Sequence, residues 1–364
     1  MRRVPWVVAV LGGVVAAASI AGAVPAVAGS KPARAATTGP TAVGSSATTG
    51  PSGATVVQSG HATTGPSGTA GASSTHDDTA ARARSYWTRA RMAAAEPRER
   101  FLAPSPARFT RRPGLSSYLQ QFSPSRVVHL PTDTGSTWTR GGLVARTTGK
   151  VFFTLGGVDY VCSGSAVTSP DRSTVLTAGH CVYDPQAGKG ASRWVFVPGY
   201  DRGRTPYGMF AATRLATAAG WAEDEDFDVD LAFANVGRNE AGRLLTDAVG
   251  GQKIAFGTPR GRPAVALGYP AEAPWTGQSL IGCAGGLRQD TTPQPTTDQG
   301  MACTMTGGSS GGPWLSDFDP LTGRGTLTSV TSFGYTGQPG VLWGPYLGEV
   351  ARALYTKVAS STSA

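Results

Sequence analysis

The chain has 364 residues, a formal net charge of +9 and 40% hydrophobic residues, a length that admits two domains or one domain with appendages. The charge is not spread evenly: residues 1–140 carry 15 Lys and Arg against 5 Asp and Glu, whereas residues 141–364 carry 17 against 18. A nucleic-acid binder needs its basic residues on the folded domain, so that class is set aside.

Met1-Arg2-Arg3 followed by the apolar run Val4 to Val24 reads as a secretory signal peptide over 1–28, with Ala26-Val27-Ala28 as the small-x-small cleavage site. Gly12, Gly13 and Gly22 interrupt the run, which is short for an anchor, and no second apolar span follows, so no membrane attachment is expected of the mature protein. Residues 29–76 form a low-complexity segment in which Ala-Thr-Thr-Gly-Pro occurs at Ala36–Pro40, Ala47–Pro51 and Ala62–Pro66. The irregular spacing excludes a stacked solenoid, and the shortage of apolar residues predicts disorder. Residues 77–140 form a basic pro-region. A helix is predicted from Thr79 to Glu96, with Tyr86 and Trp87 in it, ending at Pro97. The helix's apolar face is too thin for a membrane-surface role, and the segment is poor in core material.

From Gly141 the composition changes, and the folded domain is predicted over 141–364. Short apolar or alternating runs appear at Lys150–Leu155, Tyr160–Val167, Thr174–Leu176, Trp194–Pro198, Phe227–Phe233, Lys253–Phe256, Ala264–Leu267 and Leu327–Ser332. Turn-forming clusters separate them, which predicts an all-β sandwich or barrel. Roughly 220 residues suffice for two small barrels sharing an interface. Leu347, Val350, Ala351, Leu354 and Val358 fall at helical spacing and predict a terminal helix over Pro345–Val358.

The four cysteines are Cys162, Cys181, Cys283 and Cys303. An even number in an exported chain reads as disulfides. Three pairings are possible. The local one joins Cys162 to Cys181 and Cys283 to Cys303, each bridge stabilising by about 3 kcal/mol on a chain-entropy account. No Cys-x-x-Cys pair exists and only one histidine is near, so no metal site is expected. Glu223–Asp226 reads as a solvated acidic loop rather than a calcium ligand set.

Cys303 to Trp314 places Ser310 between glycine pairs. Such a turn lets backbone N–H groups converge beside a hydroxyl, which is what acyl transfer requires: a nucleophile and donors for the developing oxyanion. A general base is needed, and the other histidines (His61, His76, His129) precede the β-rich region, leaving His180 as its only imidazole. The alternation of Phe227–Phe233 puts Asp228 and Asp230 on one face of a predicted strand, either able to orient that base. Gly308-Ser309-Ser310-Gly311-Gly312 also fits the nucleophile elbow of α/β-hydrolases, but that fold places its histidine after the serine and none follows here.

Thr-Ala-Gly-His-Cys at Thr177–Cys181, Asp-Leu-Ala-Phe at Asp230–Phe233 and Gly-Ser-Ser-Gly-Gly-Pro at Gly308–Pro313 together resemble the chymotrypsin-like serine peptidases, most of all their secreted bacterial members. The resemblance covers about residues 145–358. It implies two six-stranded antiparallel β-barrels with a C-terminal helix, acting on protein or peptide substrates as a monomer without a cofactor. It also implies a catalytic triad of Ser310, His180 and Asp230, the family's Asp-apolar-small-apolar pattern selecting Asp230 over Asp228, with the N–H groups of Gly308 and Ser310 as oxyanion donors. Ser332-Phe333-Gly334 resembles the strand that pairs with substrate, and Gly334 and Gly340 leave the specificity pocket open.

Three departures from the family or its subgroups qualify this. Thr304 stands where trypsin-like members carry the pocket-floor aspartate. A buried neutral hydroxyl does not compensate a guanidinium, so large uncharged side chains are the expected preference. Thr331 replaces the histidine of glutamate-specific relatives. Ser309 replaces an aspartate that in many animal members pairs with the new N-terminus, so removal of residues up to about 140 is expected to relieve blockage or aid folding without forming that ion pair. The rival readings are an esterase or amidase with the same triad, and an inactive peptidase-like binding module.

Overall fold

From Thr148 onward, runs of valine, phenylalanine and threonine adopt the extended backbone that β-branched and aromatic side chains favour. The structure, a computed structural model, describes residues 54–57, 72–98, 101–102, 132–292 and 295–360. All of these fall in one compact unit, Ser46–Ala364. The leader expected at 1–28 and the three Ala-Thr-Thr-Gly-Pro copies lie outside the described residues. No helix among the described residues is long and apolar enough to cross a membrane.

Ahead of the barrels come β1 (Ala54–Val57), α1 (Ala72–Tyr86), α2 (Arg89–Ala94), β2 (Glu96–Pro97), β3 (Phe101–Leu102), β4 (Asp133–Thr137) and α3 (Gly142–Thr147). The first barrel contains β5 (Thr148–Leu155), β6 (Val158–Val167) and β7 (Thr174–Thr177). After the small hairpin β8 (Tyr183–Asp184) and β9 (Lys189–Gly190), it continues with β10 (Ser192–Pro198), β11 (Phe210–Ala218), helix α4 (Ala219–Asp224) and β12 (Ala232–Val236). Its order is β11-β10-β5-β6-β7-β12, and the β11–β12 pairing closes it, every neighbour antiparallel. Val151, Phe153, Cys162, Ala166, Val175, Phe196 and Phe210 form one buried cluster of this barrel.

The second half follows α5 (Leu245–Val249): β13 (Lys253–Ile254), β14 (Ala264–Gly268), β15 (Ile281–Gly285), β16 (Arg288–Gln289), β17 (Gln299–Ala302), β18 (Pro313–Asp319), β19 (Arg324–Val330), β20 (Gly334–Tyr335), β21 (Val341–Gly344) and the terminal helix α6 (Glu349–Ala359). Six of its strands pair in the order β13-β19-β18-β14-β15-β4, with β16-β17-β21 as a smaller sheet. The short β13–β19 pair is parallel. Cys283, Cys303, Met301, Met305 and Trp314 fill the core of this half.

Three sequence expectations change. The predicted helix Thr79–Glu96 is two helices, broken at Trp87–Thr88. Thr88 adopts an extended backbone, and its Oγ1 accepts from Arg91 N at 3.3 Å, so a cap restarts the helix. The low-complexity segment, expected to be disordered, supplies β1, whose Ala-Thr-Val-Val pairs antiparallel with β11, and the start of α1. The second sheet begins before Gly141, because β4 pairs with β15. Strand β4 reads Asp-Thr-Gly-Ser-Thr; it joins through its backbone and carries no hydrophobic signature.

The basic leading segment is not poor in core material. Trp87 is 2% exposed and packs on Phe152 with ring centroids 5.4 Å apart, its Nε1 donating to Arg193 O at 2.6 Å. Ala80, Ala83 and Met92 join the same cluster, so β5 is buried on both faces. Arg98 and Asp184 pair at 2.8 Å. Trp87→Ala in the full chain is expected to destabilise by about 3–5 kcal/mol, the cost of a buried aromatic truncation. Urea unfolding followed by near-UV circular dichroism checks it.

Lys150, on β5, reaches the second half. Its Nζ donates to Gly277 O at 3.0 Å and lies 5.2 Å and 4.8 Å from the Phe152 and Tyr200 rings. Burial pushes its pKa from the ordinary 10.5 down to about 8. The unfolded chain therefore holds this proton more tightly than the native one. Below pH 8 both states are protonated and the full cost of burying the charge applies. Between pH 8 and 10.5 the native lysine is neutral and that cost is relieved, so stability rises with pH. Relative to Lys150→Met, the unfolding free energy of the wild type should rise by about 3 kcal/mol across that window. Urea titrations at stepped pH measure the difference.

Candidate active site

Strand β7 ends at Thr177, and Gly179–Cys181 fold into a 3₁₀ turn that buries His180 completely. The turn is tied down by the Cys162–Cys181 disulfide to β6. A Cβ on Gly179 would meet Asp230 Oδ1 and the Trp221 ring at 2.8 Å, so only glycine allows this approach. The Trp221 ring centroid lies 6.1 Å from that of His180.

Asp230 reaches the imidazole from a turn, not from a strand. The predicted strand over Phe227–Phe233 is a 3₁₀ turn at Phe227–Val229, with β12 starting only at Ala232. The Asp226 side chain accepts from Asp228 N at 3.1 Å and starts the turn. Phe227 and Val229 are both buried, which is why the alternation resembles a strand. The two aspartates therefore part company instead of sharing a face. Asp228 Oδ1 accepts from Thr297 N at 2.7 Å, whereas Asp230 Oδ2 accepts from His180 Nδ1 at 2.8 Å. Asp230 Oδ1 also accepts from His180 N at 2.8 Å, and Oδ2 from Ser332 Oγ at 2.5 Å. Burial pushes the Asp230 pKa upward, but the His180 imidazole and the hydrogen bonds from His180 and Ser332 outweigh it and hold the carboxyl below the ordinary range. Nearby Asp298 is raised well above that range, first by burial and then by Asp228, Asp230 and Asp226.

The Ser310 turn lies against the same disulfide. Ser310 is 4% exposed, its carbonyl accepts from Ser163 N at 2.7 Å, and Gly311 N donates to Thr331 O at 2.7 Å. Gly308 and Gly311 have φ of +92° and +79°, a region open to glycine. Gly307 O accepts from Ala271 N at 2.6 Å, which points the Gly308 N–H the opposite way. Among the described residues neither the Gly308 nor the Ser310 N–H donates to an acceptor, and His180 Nε2 is buried without a hydrogen-bond partner. Ser309 Oγ donates to Thr306 O at 2.7 Å within its own turn.

The Ser332 hydroxyl holds Asp230, a contact that no local motif reveals and that the resemblance, which assigns Ser332 a backbone role, does not include. Phe333 packs among Phe227, Tyr335 and Trp343, and Trp343 N donates to Phe333 O at 2.9 Å. Gly334–Tyr335 is covered by β3, which pairs with it in parallel, Gly334↔Phe101 and Tyr335↔Leu102. Gly340 has φ +78° and open space where a Cβ would stand. Thr304 is exposed, not buried as the sequence suggests. Its Oγ1 donates to Thr134 O on β4 at 2.8 Å, and its N donates to the same oxygen at 2.6 Å. The Cys283–Cys303 bridge anchors the residue before it. The ligand atoms of Cys162, His180 and Cys181 lie within 4.8 Å of one another, but both sulfurs are spent in the disulfide and offer no thiolate to a metal.

The chain joins a closed six-stranded antiparallel barrel to a second six-stranded sheet, and carries a buried Asp230–His180 pair and a glycine-flanked serine, Ser310. No family model matches the chain. The crystal structure of the protease Anisep from Arthrobacter nicotinovorans is 38% identical, spans 62% of this chain and 100% of its own, and has a TM-score of 0.57. That of the thermostable serine protease AL20 from an extremophilic microorganism is 42% identical over 60% of this chain and 99% of its own, with a TM-score of 0.56. The extracellular metalloprotease of Bacillus subtilis is 38% identical over 71 residues, 20% of this chain, and the match spans about a fifth (21%) of that relative's length. The chain belongs to the chymotrypsin-like serine proteases.

Proposed function

We propose that this protein is a secreted serine endopeptidase made as a precursor, with Ser310 as nucleophile, His180 as general base and acid, and Asp230 orienting the imidazole. The observation that carries the reading is the buried Asp230–His180 pair at 2.8 Å, with the other ring nitrogen left unspent. Ser310 Oγ attacks the peptide carbonyl as His180 Nε2 takes its proton. The tetrahedral oxyanion is met by the N–H groups of Gly308 and Ser310. His180 returns the proton to the leaving amine, and water then hydrolyses the acyl-enzyme. The mature enzyme acts as a monomer on protein or peptide substrates and needs no cofactor.

The preference is for large uncharged side chains at the cleaved bond. Thr304 brings no charge, and its hydroxyl proton is already engaged by Thr134, so neither a guanidinium nor a carboxylate finds a counter-charge there. The precursor reading is supported by β3, which occupies the edge of β20 that an extended substrate would pair with. Processing on the amino side of Thr132 frees that edge and keeps β4.

Fluorophosphonate labelling of the chain freed of its leading segment, beginning at Thr132, tests the assignment. Modification at Ser310 supports it, and an unmodified, folded protein points to a binding module instead. Ester turnover without peptide turnover would favour the esterase reading. A peptide library cleaved best after Arg would overturn the specificity.

A further inference from the structure

Ser163 follows the disulfide cysteine Cys162 on β6 and is completely buried. Its hydroxyl accepts from Tyr269 N at 2.9 Å and donates to Gly308 O at 2.8 Å. Its own N–H donates to Ser310 O at 2.7 Å, and its carbonyl accepts from Thr177 Oγ1 at 2.8 Å. One residue of the first barrel thus binds the nucleophile turn of the second half at two peptides, and binds the Tyr269–Ala271 segment behind that turn.

That segment matters because Ala271 N pins Gly307 O at 2.6 Å. A trans peptide carries its C=O and N–H on opposite sides, so a pinned Gly307 carbonyl fixes the direction of the Gly308 N–H. The next peptide is pinned from both sides, by Ser163 Oγ on Gly308 O and by Ser309 N on Thr306 O at 3.2 Å. Gly308 also sits tightly: a Cβ there would lie 2.9 Å from Tyr269 O. Glycine peptides rotate easily, and a turn with three glycines in five residues needs external bonds to hold one orientation. The Ser163 hydroxyl is the only side-chain group among the described residues that hydrogen-bonds both layers of this stack.

We propose that Ser163 is a positioning residue for the oxyanion hole, holding the Gly307–Ser309 peptides so that the Gly308 N–H faces the carbonyl under attack. The proposal rests on the assignment of Ser310 and the Gly308 N–H above. It differs from a purely structural role in what it stabilises: a donor that matters when charge develops, not when substrate binds.

The test is kinetic. S163A is expected to lower kcat on a peptide substrate by about 10- to 100-fold, less than the loss of a donor itself, with KM within about twofold. The inhibition constant of a peptide aldehyde, which forms the tetrahedral adduct, should rise by the same factor, while that of the product acid changes little. S163C, which retains a weaker donor, should fall between wild type and S163A, and it serves as the read-out if S163A does not fold. Unchanged kcat, or equal weakening of the aldehyde and the product acid, would overturn the proposal. Fluorophosphonate labelling of the wild type separates the two levels: labelling at Ser310 with an unaffected S163A sinks only the role of Ser163, and failure to label Ser310 sinks the underlying assignment and this proposal with it.

Discussion

Ser310→Ala is expected to reduce kcat on a peptide substrate by about 10⁴- to 10⁶-fold while leaving the unfolding midpoint close to that of the wild type. In the proposed mechanism the lost oxygen is the atom that bonds to substrate, and the turn around it is held by backbone contacts that alanine preserves, such as Ser163 N to Ser310 O and Gly311 N to Thr331 O. His180→Ala should lose a similar factor, and the double variant little more than either single one, because the two side chains act as a unit. Asp230→Asn tests the third member differently. An amide retains most of the volume but offers an N–H toward His180 Nδ1, which favours the wrong tautomer, and a loss of about 10⁴ in kcat is expected. Steady-state kinetics on purified protein, with folding checked by circular dichroism, measures all four. A Ser310→Ala protein with wild-type turnover would remove Ser310 from the mechanism, however well the rest of the geometry fits.

The parts legible in sequence are those whose chemistry is local. Cys162 and Cys181 bracket the segment that holds the first disulfide, and Thr177–Cys181 and Gly308–Pro313 each carry a turn and a reactive side chain in a few consecutive residues. The illegible parts depend on long-range placement. Ser163 and Ser332 look like ordinary strand serines, and their roles come from partners 145 and 102 residues away. Asp226–Asp230 misleads because a 3₁₀ turn that buries Phe227 and Val229 leaves the same alternation as a strand. Averaged composition hides Trp87, since one buried indole among arginines does not raise the mean hydropathy of the segment. Strand β4 is invisible for a related reason: what it contributes is backbone.

The consequence for β4 can be measured on the enzyme itself. A chain beginning at Thr132, the terminus proposed above, should be fully active, whereas one beginning at Gly141 is expected to lose about 3–5 kcal/mol of stability and at least about tenfold in kcat/KM. Removing residues 132–140 strips the register partners Thr137, Ser136 and Asp133 from β15 and bares a sheet edge. It also removes Trp138, whose N donates to Leu280 O at 2.8 Å and whose ring lies 5.6 Å from that of Phe318. Most directly, it removes the Thr134 carbonyl that takes both protons of Thr304, beside the Cys283–Cys303 bridge. Starting one or two residues before Thr132 should make no difference. Ser309 spends its hydroxyl on Thr306 O and has no charge for a new amine to meet, so the exact terminus carries no ion pair to lose. A sharp drop in activity from such an extension would mean that the amine is read after all, by a group other than Ser309. Full activity from the Gly141 chain would mean that β4 only covers an edge and leaves the specificity pocket untouched.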